Sequence, residues 1–363
     1  MCDSVFSVFK VFDLLFSCAA CVTLPSVMKT KLTISSLCLF VLFAVTSFVS
    51  VHAASSNGLL LVANQGDHSL SIIDPDAGTM VAKLVTPQIR GHEVTASPDG
   101  KLAYLPMYGD SGVGKPGTDG HSIEVIDIAK HSIVSTIELG HPVRPHWVKF
   151  GADGMLYVSA ELDKAVDVFD PKTLKLVGSI PTGETESHMV ALSKDGKRAY
   201  TSNVGPGSVS VLDLTAKKLV TVIPIAQPSQ RISISVDDKY VFTSDQTTPR
   251  LAVIDTATNK ISKWIDLPAV GYGTAPTLDG KWLIVAMPSA NQVAVVDLVA
   301  MKVARTVDVS TSPQEVLMRP DGSVAYVSCN RAGKVSAIDL DKWSVIKTLD
   351  SSPGADGLGW AKN

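Results

Sequence analysis

The 363-residue sequence predicts an all-β protein, a seven-bladed β-propeller closed by pairing of its C-terminal strand with its N-terminal blade. Three features lead there: a recurring strand that ends in aspartate, a recurring turn of the Pro-Asp-Gly type, and a spare strand at the end of the chain. The strand appears as SLSIID to Asp74, SIEVID to Asp127, AVDVFD to Asp170, SVSVLD to Asp213, RLAVID to Asp255, QVAVVD to Asp297 and KVSAID to Asp339. After a first step of 53, those aspartates are spaced by 43 or 42. The turn aspartates fall at 99, 153, 195, 237, 279 and 321, with a first step of 54 and 42 thereafter.

A period near 42 also suits helical arrays, so the pattern inside the unit has to decide. Val166 and Val168, Val209 and Val211, and Val293 and Val295 stand four and two positions before their aspartates. That is alternation by two in β-branched residues, which predicts strands. Each unit has room for about four of them, the content of one blade. The first unit begins directly at Leu59-Leu60-Leu61-Val62, whereas Asp356-Gly357-Leu358-Gly359-Trp360 follows the seventh unit. This last segment is expected to form the inner strand of the first blade, hiding both sheet edges.

Residues 1–53 read as a leader with an export signal, and residues 54–363 as the propeller. Met28-Lys29-Thr30-Lys31 is a short basic start, Leu37 to Val49 is apolar, and Val51-His52-Ala53 places small residues before Ala54, where a signal peptidase would cut. Met28 is the expected true start. Four of the five cysteines lie in the leader, leaving Cys329 alone in the exported part, so no internal disulfide can form there. The expected location is the periplasm or outside the cell, with no membrane span once the signal is cleaved. The exported part carries 29 basic against 33 acidic residues, which argues against nucleic acid as a partner.

The units AYVSCNRAGKVSAIDLDKWSVIKTL and SKDGKRAYTSNVGPGSVSVLDLTAKKLV resemble the YVTN-type β-propeller repeat, and the likeness covers the chain after residue 57. The family includes periplasmic YncE-like proteins. The resemblance implies the fold and is weak on activity, because propellers host unrelated functions.

Counting seven residues back from each turn aspartate reaches the start of the inner strand near the central channel, on the face called here the top. His92, His146, His188, Gln230, Tyr272, Gln314 and Asp356 occupy that register. Three histidines on adjacent blades could give three imidazoles to one transition metal and leave a coordination position open. Alternatively, each could brace the inner strand to the outer strands of its own blade by hydrogen bonds. Arg144, Arg231, Gln230, Tyr272, Gln314, Asp356, Glu93 and Lys115 are the expected ligand-binding residues of a polar, mixed-charge mouth. About ten extra residues in the second blade, around Tyr108 to Gly117, are expected in its second connection, over the top, as a lid or docking loop.

Gly109-x4-Gly114-Lys115 imitates a phosphate-binding loop, but Pro116 stands where Ser or Thr would hold magnesium and no helix start follows. The strand-ending Asp170, Asp213 and Asp255 are expected to be turn formers, and Cys329 a buried, inert thiol. The expected function is an exported, monomeric binding module that takes a protein or small-molecule partner on its top face. The alternative is a metal-dependent or redox enzyme built on His92, His146 and His188.

Overall fold

The computed structural model describes residues 58–86, 90–110 and 112–363; the leader expected over 1–53, with its start at Met28, lies outside them. The described residues form seven antiparallel sheets arranged as blades of a ring, with no helix among them. None of the described residues therefore forms a helix able to cross a membrane.

The third strand of a blade, such as Ala165–Asp170, is buried on both faces except at its terminal aspartate. It lies between two strands of its own sheet while both faces pack on neighbouring blades, which explains its run of β-branched residues. The outermost strand, such as Lys175–Pro181, faces water and buries only Ile180. Closure follows the predicted route. Ala355–Lys362 pairs with Gly58–Asn64 and sets Leu60 opposite Trp360 and Leu61 opposite Gly359. Leu60, Val62 and Leu358 then pack on Tyr326 and Val335 of the seventh blade, so the join is also an apolar seam. Each such buried side chain contributes about 1.5–3 kcal/mol.

The strand-ending aspartates form turns as expected. Asp170 Oδ1 accepts the Lys172 N–H at 2.8 Å, Asp213 that of Ala216 at 2.9 Å and Asp255 that of Thr258 at 2.8 Å. Cys329 is buried, with its Sγ 3.7 Å from Ser336 Oγ, and burial pushes the thiol up from its ordinary range.

The second blade corrects one expectation. Its extra residues lengthen two strands, Leu102–Gly109 and Asp119–Asp127, and leave only 110–118 as the connection. Extending the ladder pairs backbone groups that a long loop would leave to solvent. Tyr108, expected in the loop, is thus a fully buried strand residue, and His121 also lies in a strand. No helix follows Lys115, which agrees with rejecting the phosphate loop.

Candidate functional site: a buried polar hub

Near the top of the ring the inner strands bulge. In the third blade Val148 pairs with Val158 and Pro145 with Ala160, so one extra residue is fitted around His146. In the fourth, Ser187 pairs with Asn203 and Met189 with Ser202, which leaves His188 as the extra residue. The first and seventh blades shift in the same way at Asp356 and Gln314. A bulge re-aims its side chains and frees backbone groups. Serines of the second strands take these up: Trp147 N–H donates to Ser159 Oγ at 2.9 Å, and Ser159 Oγ donates to the His188 carbonyl of the next blade at 2.8 Å.

The re-aimed side chains gather in two groups. In the first, the rings of His92 and His146 are 5.1 Å apart between centroids, and those of His146 and His188 are 3.5 Å apart, tilted by 33°. The Tyr108 ring packs on His92 and His146 at 4.8 and 5.2 Å, and its hydroxyl donates to Glu161 at 2.9 Å. His188 Nδ1 bonds Glu161, and His92 Nδ1 is 3.4 Å from Asp356. His146, 1% exposed, has no hydrogen-bond partner at either ring nitrogen. Its proton affinity falls well below the ordinary imidazole range because of burial, with His188, His92 and Arg231 adding to the effect. Burial likewise pushes the Tyr108 phenol up, and Glu161 adds to that shift.

The second group is centred on Arg231. In a ring of seven, the blades furthest from the fifth are the first and second, and Arg231 reaches across the axis to both. Its Nη1 donates to Glu93 at 2.5 Å and its Nη2 to Asp356 at 2.6 Å, with Glu315 at 3.8 Å. Arg231, Glu93 and Asp356 are each only 3% exposed. Burial raises the Glu93 carboxyl well above its usual range, Arg231 offsets part of this, and Glu315 and Asp356 add to it. Asp356 is also penalised by burial, yet Arg231, His92 and His188 outweigh that and hold it below the ordinary range. Two glycines in the register of Arg231 let neighbouring inner strands approach closely at this level. A Cβ at Gly357 would lie 2.4 Å from the His92 carbonyl oxygen, and one at Gly273 would lie 2.0 Å from that of Gln314.

The expected mouth is thus closed. Arg144 is 5% exposed and ties the second blade's connection down: it pairs with Asp119 and donates from Nη2 to the Lys115 carbonyl at 2.6 Å. Gln314 Nε2 donates locally to Ser312 Oγ at 3.2 Å, and the Tyr272 ring lies 5.2 Å below the Arg231 guanidinium carbon. Gln230 is partly exposed, its carbonyl accepting from Ser202 Oγ, and Lys115 lies exposed on the connection. Asp245 is buried and occupied with the Thr247 and Thr248 N–H groups and with Arg250.

The brace expectation needs correction, because none of His92, His146 and His188 ties its strand to the outer strands of its own blade. His188 and His92 link to neighbouring blades, and His146 bonds to nothing. Sequence reasoning missed Tyr108, Asp119 and Glu315 as members of the hub. Six residues before the turn aspartate, instead of seven, stand Glu93, Arg231 and Glu315, a second polar register that the same counting would have found. Among the described residues, no three His, Cys, Asp or Glu side chains are set in metal-holding geometry.

An axial cavity of about 530 Å³ opens on the opposite face, lined by the inner strands of blades three to seven, with Lys149 and Lys194 near its mouth and Met189 and Glu315 at its inner end. Arg231, 3.8 Å from Met189 Sδ and from Glu315, separates it from the histidines.

No protein-family model and no curated protein matches this chain. Solved structures do. The chain is similar to Kuenenia stuttgartiensis hydrazine synthase, at 20% identity and a TM-score of 0.67, over 82% of this chain and 99% of that one. It is also similar to the dihydro-heme d1 dehydrogenase NirN in complex with DHE, at 18% identity and a TM-score of 0.60, over 82% of this chain and 64% of that one. At such identities the shared property is the β-propeller fold.

Proposed function

We propose that this is an exported propeller module of the YVTN type that binds a protein or small-molecule partner at its top face, over the polar hub. One observation carries the reading: the hub keeps buried, ionisable and unpartnered groups where the fold asks for none. Two and four residues further along the same strands stand Val148 and Phe150, or Val190 and Leu192, which are apolar. Replacing a buried ion network by well-packed apolar residues is commonly neutral or stabilising, so stability alone does not account for Arg231, Glu93 and Asp356. The connection between Gly109 and Asp119, pinned by Arg144 at the Lys115 carbonyl, gives the face a part that other blades lack. NirN, a protein of similar fold, is known in complex with DHE, which supports ligand binding as a use of this architecture.

The test is a thermal-shift panel of small carboxylates, phosphates and amino acids, run on the wild type and on a variant with residues 112–117 replaced by Gly-Ser-Gly. A ligand of the top face stabilises the wild type and loses at least about tenfold in affinity in the variant. Ligands that stabilise both equally would move the site to the cavity on the opposite face. The second reading, a metal-dependent or redox enzyme, is favoured only by the clustering of the three imidazoles.

A further inference from the structure

We propose that the axial cavity on the face opposite the hub is a second binding site, for a small amphipathic anion: a carboxylate joined to an apolar acyl or aromatic body. The site stands apart from the top-face reading, because Arg231 separates the two.

Size and walls define the body of the occupant. A volume of about 530 Å³ lies inside the range of roughly 300–1,000 Å³ that small-molecule sites span. Trp147, Met189, Ile232, Ile234, Val316 and Met318 are among its lining residues, so an apolar group that enters leaves water for side chains drawn from several blades. A shallower pocket, lined by Val236 and the half-exposed Leu278, shares Leu192, Lys194 and Ile234 with the cavity. The apolar surface thus continues outward to the turns.

The mouth supplies the charge. Acidic side chains of the turns on this face already have partners: Asp195 pairs with Lys197, Asp237 with Lys239, Asp279 with Lys281 and Asp321 with Arg319. Asp153 accepts from the Tyr157 hydroxyl, and Asp238 accepts the backbone N–H groups of Lys194 and Asp195. Lys149 and Lys194 both line the cavity, and neither ammonium group forms an ion pair among the described residues. Two free cations beside an apolar cavity complement one carboxylate.

The inner end sets the orientation. Glu315 lies there with its Oε2 accepting the Leu358 N–H at 2.7 Å, and Arg231 is committed to Glu93 and Asp356. An anion finds no free cation at that depth and meets the Glu315 carboxylate. The head group therefore stays at the mouth, and the apolar body points toward Trp147 and Met189.

The experiment titrates the full propeller with octanoate by calorimetry, with octylammonium and acetate as controls for head group and body. One octanoate per chain is expected, with octylammonium weaker by at least about tenfold and acetate not bound. The double variant Lys149→Gln with Lys194→Gln changes two exposed side chains, and should lose at least about tenfold in octanoate affinity while melting as the wild type does. Bromine at the apolar end, in 8-bromooctanoate, should quench Trp147 fluorescence, and the quenching should vanish in Trp147→Phe. No octanoate binding at millimolar concentration would overturn the proposal and leave the top-face reading standing. Equal binding of octylammonium, or binding that survives the double replacement, would also overturn it. Replacing residues 112–117 by Gly-Ser-Gly should leave octanoate affinity unchanged; a loss there would move the anion to the top face and refute the second site alone.

Discussion

The rim and the hub of this propeller obey different rules. At the rim every blade repeats one solution: an aspartate closes the third strand and accepts N–H groups two or three residues on, as at Asp170, Asp213, Asp255 and Asp297. At the hub, positions that correspond blade by blade hold His, His, His, Gln, Tyr, Gln and Asp, and the ionic partners of His92, His188 and Asp356 lie in other blades. Local, repeated contacts specify the fold, while long-range, unrepeated ones are where the repeat has been given up for something else. The hub bonds of Arg231 span 138 and 125 residues, against two or three at the rim.

The sharpest break of that comparison is at the seam, where rim and hub depend on the same strand. Ending the chain after Gly354 removes Ala355–Lys362 and with it the partner of Gly58–Asn64. Urea unfolding should then lose its single cooperative transition, or the chain should fail to accumulate. A truncated chain as cooperative as the wild type would show that the ring is not closed by this pairing.

Next in size is Arg231→Ala, which strands Glu93 and Asp356 in a buried site and should cost about 3–5 kcal/mol in urea unfolding. The triple replacement of Arg231, Glu93 and Asp356 by Met, Leu and Asn should recover most of that loss. A single mutant as stable as the wild type would mean that the crossing is not formed.

The rim gives the smallest single effects. Asp255→Ala should leave the melting temperature within about 2 °C of the wild type, because its turn is exposed and water replaces the lost acceptor. Together these aspartates set the acid limit. Backbone and side-chain donors hold Asp170, Asp213, Asp255 and Asp297 below the ordinary carboxylate range. Groups with lowered folded-state values stabilise above the unfolded value, and that contribution is lost as pH falls through the folded ones. The melting temperature should thus drop steadily below about pH 4. Glu93 acts in the opposite sense, since its raised value disfavours the folded state as pH rises above the ordinary glutamate range. A melting temperature that stays flat from pH 5 to pH 2 would contradict the rim account.

The architecture was legible because it is written seven times in Asp-ended strands and six times in turns, whose spacing needs no tertiary information. The hub register was legible for the same reason, and His92, His146, His188 and Asp356 do meet at the axis. What counting could not show was depth. Glu93, Arg231 and Glu315 stand one position beyond the counted register, and they fill what looked like an open mouth. Tyr108 was hidden because insertions read as loops, whereas here the ladder was extended. The interplay of three carboxylates with one guanidinium depends on distances across the ring, which no sequence spacing carries.

The central claim is that the hub is kept for binding at some cost to the fold, and the urea midpoint of metal-free His146→Leu tests it most directly. An imidazole with no partner should be replaced without loss, so the midpoint is predicted to equal or exceed that of the wild type. A midpoint lower by more than about 1 kcal/mol in unfolding free energy would make His146 a structural element after all and contradict the account.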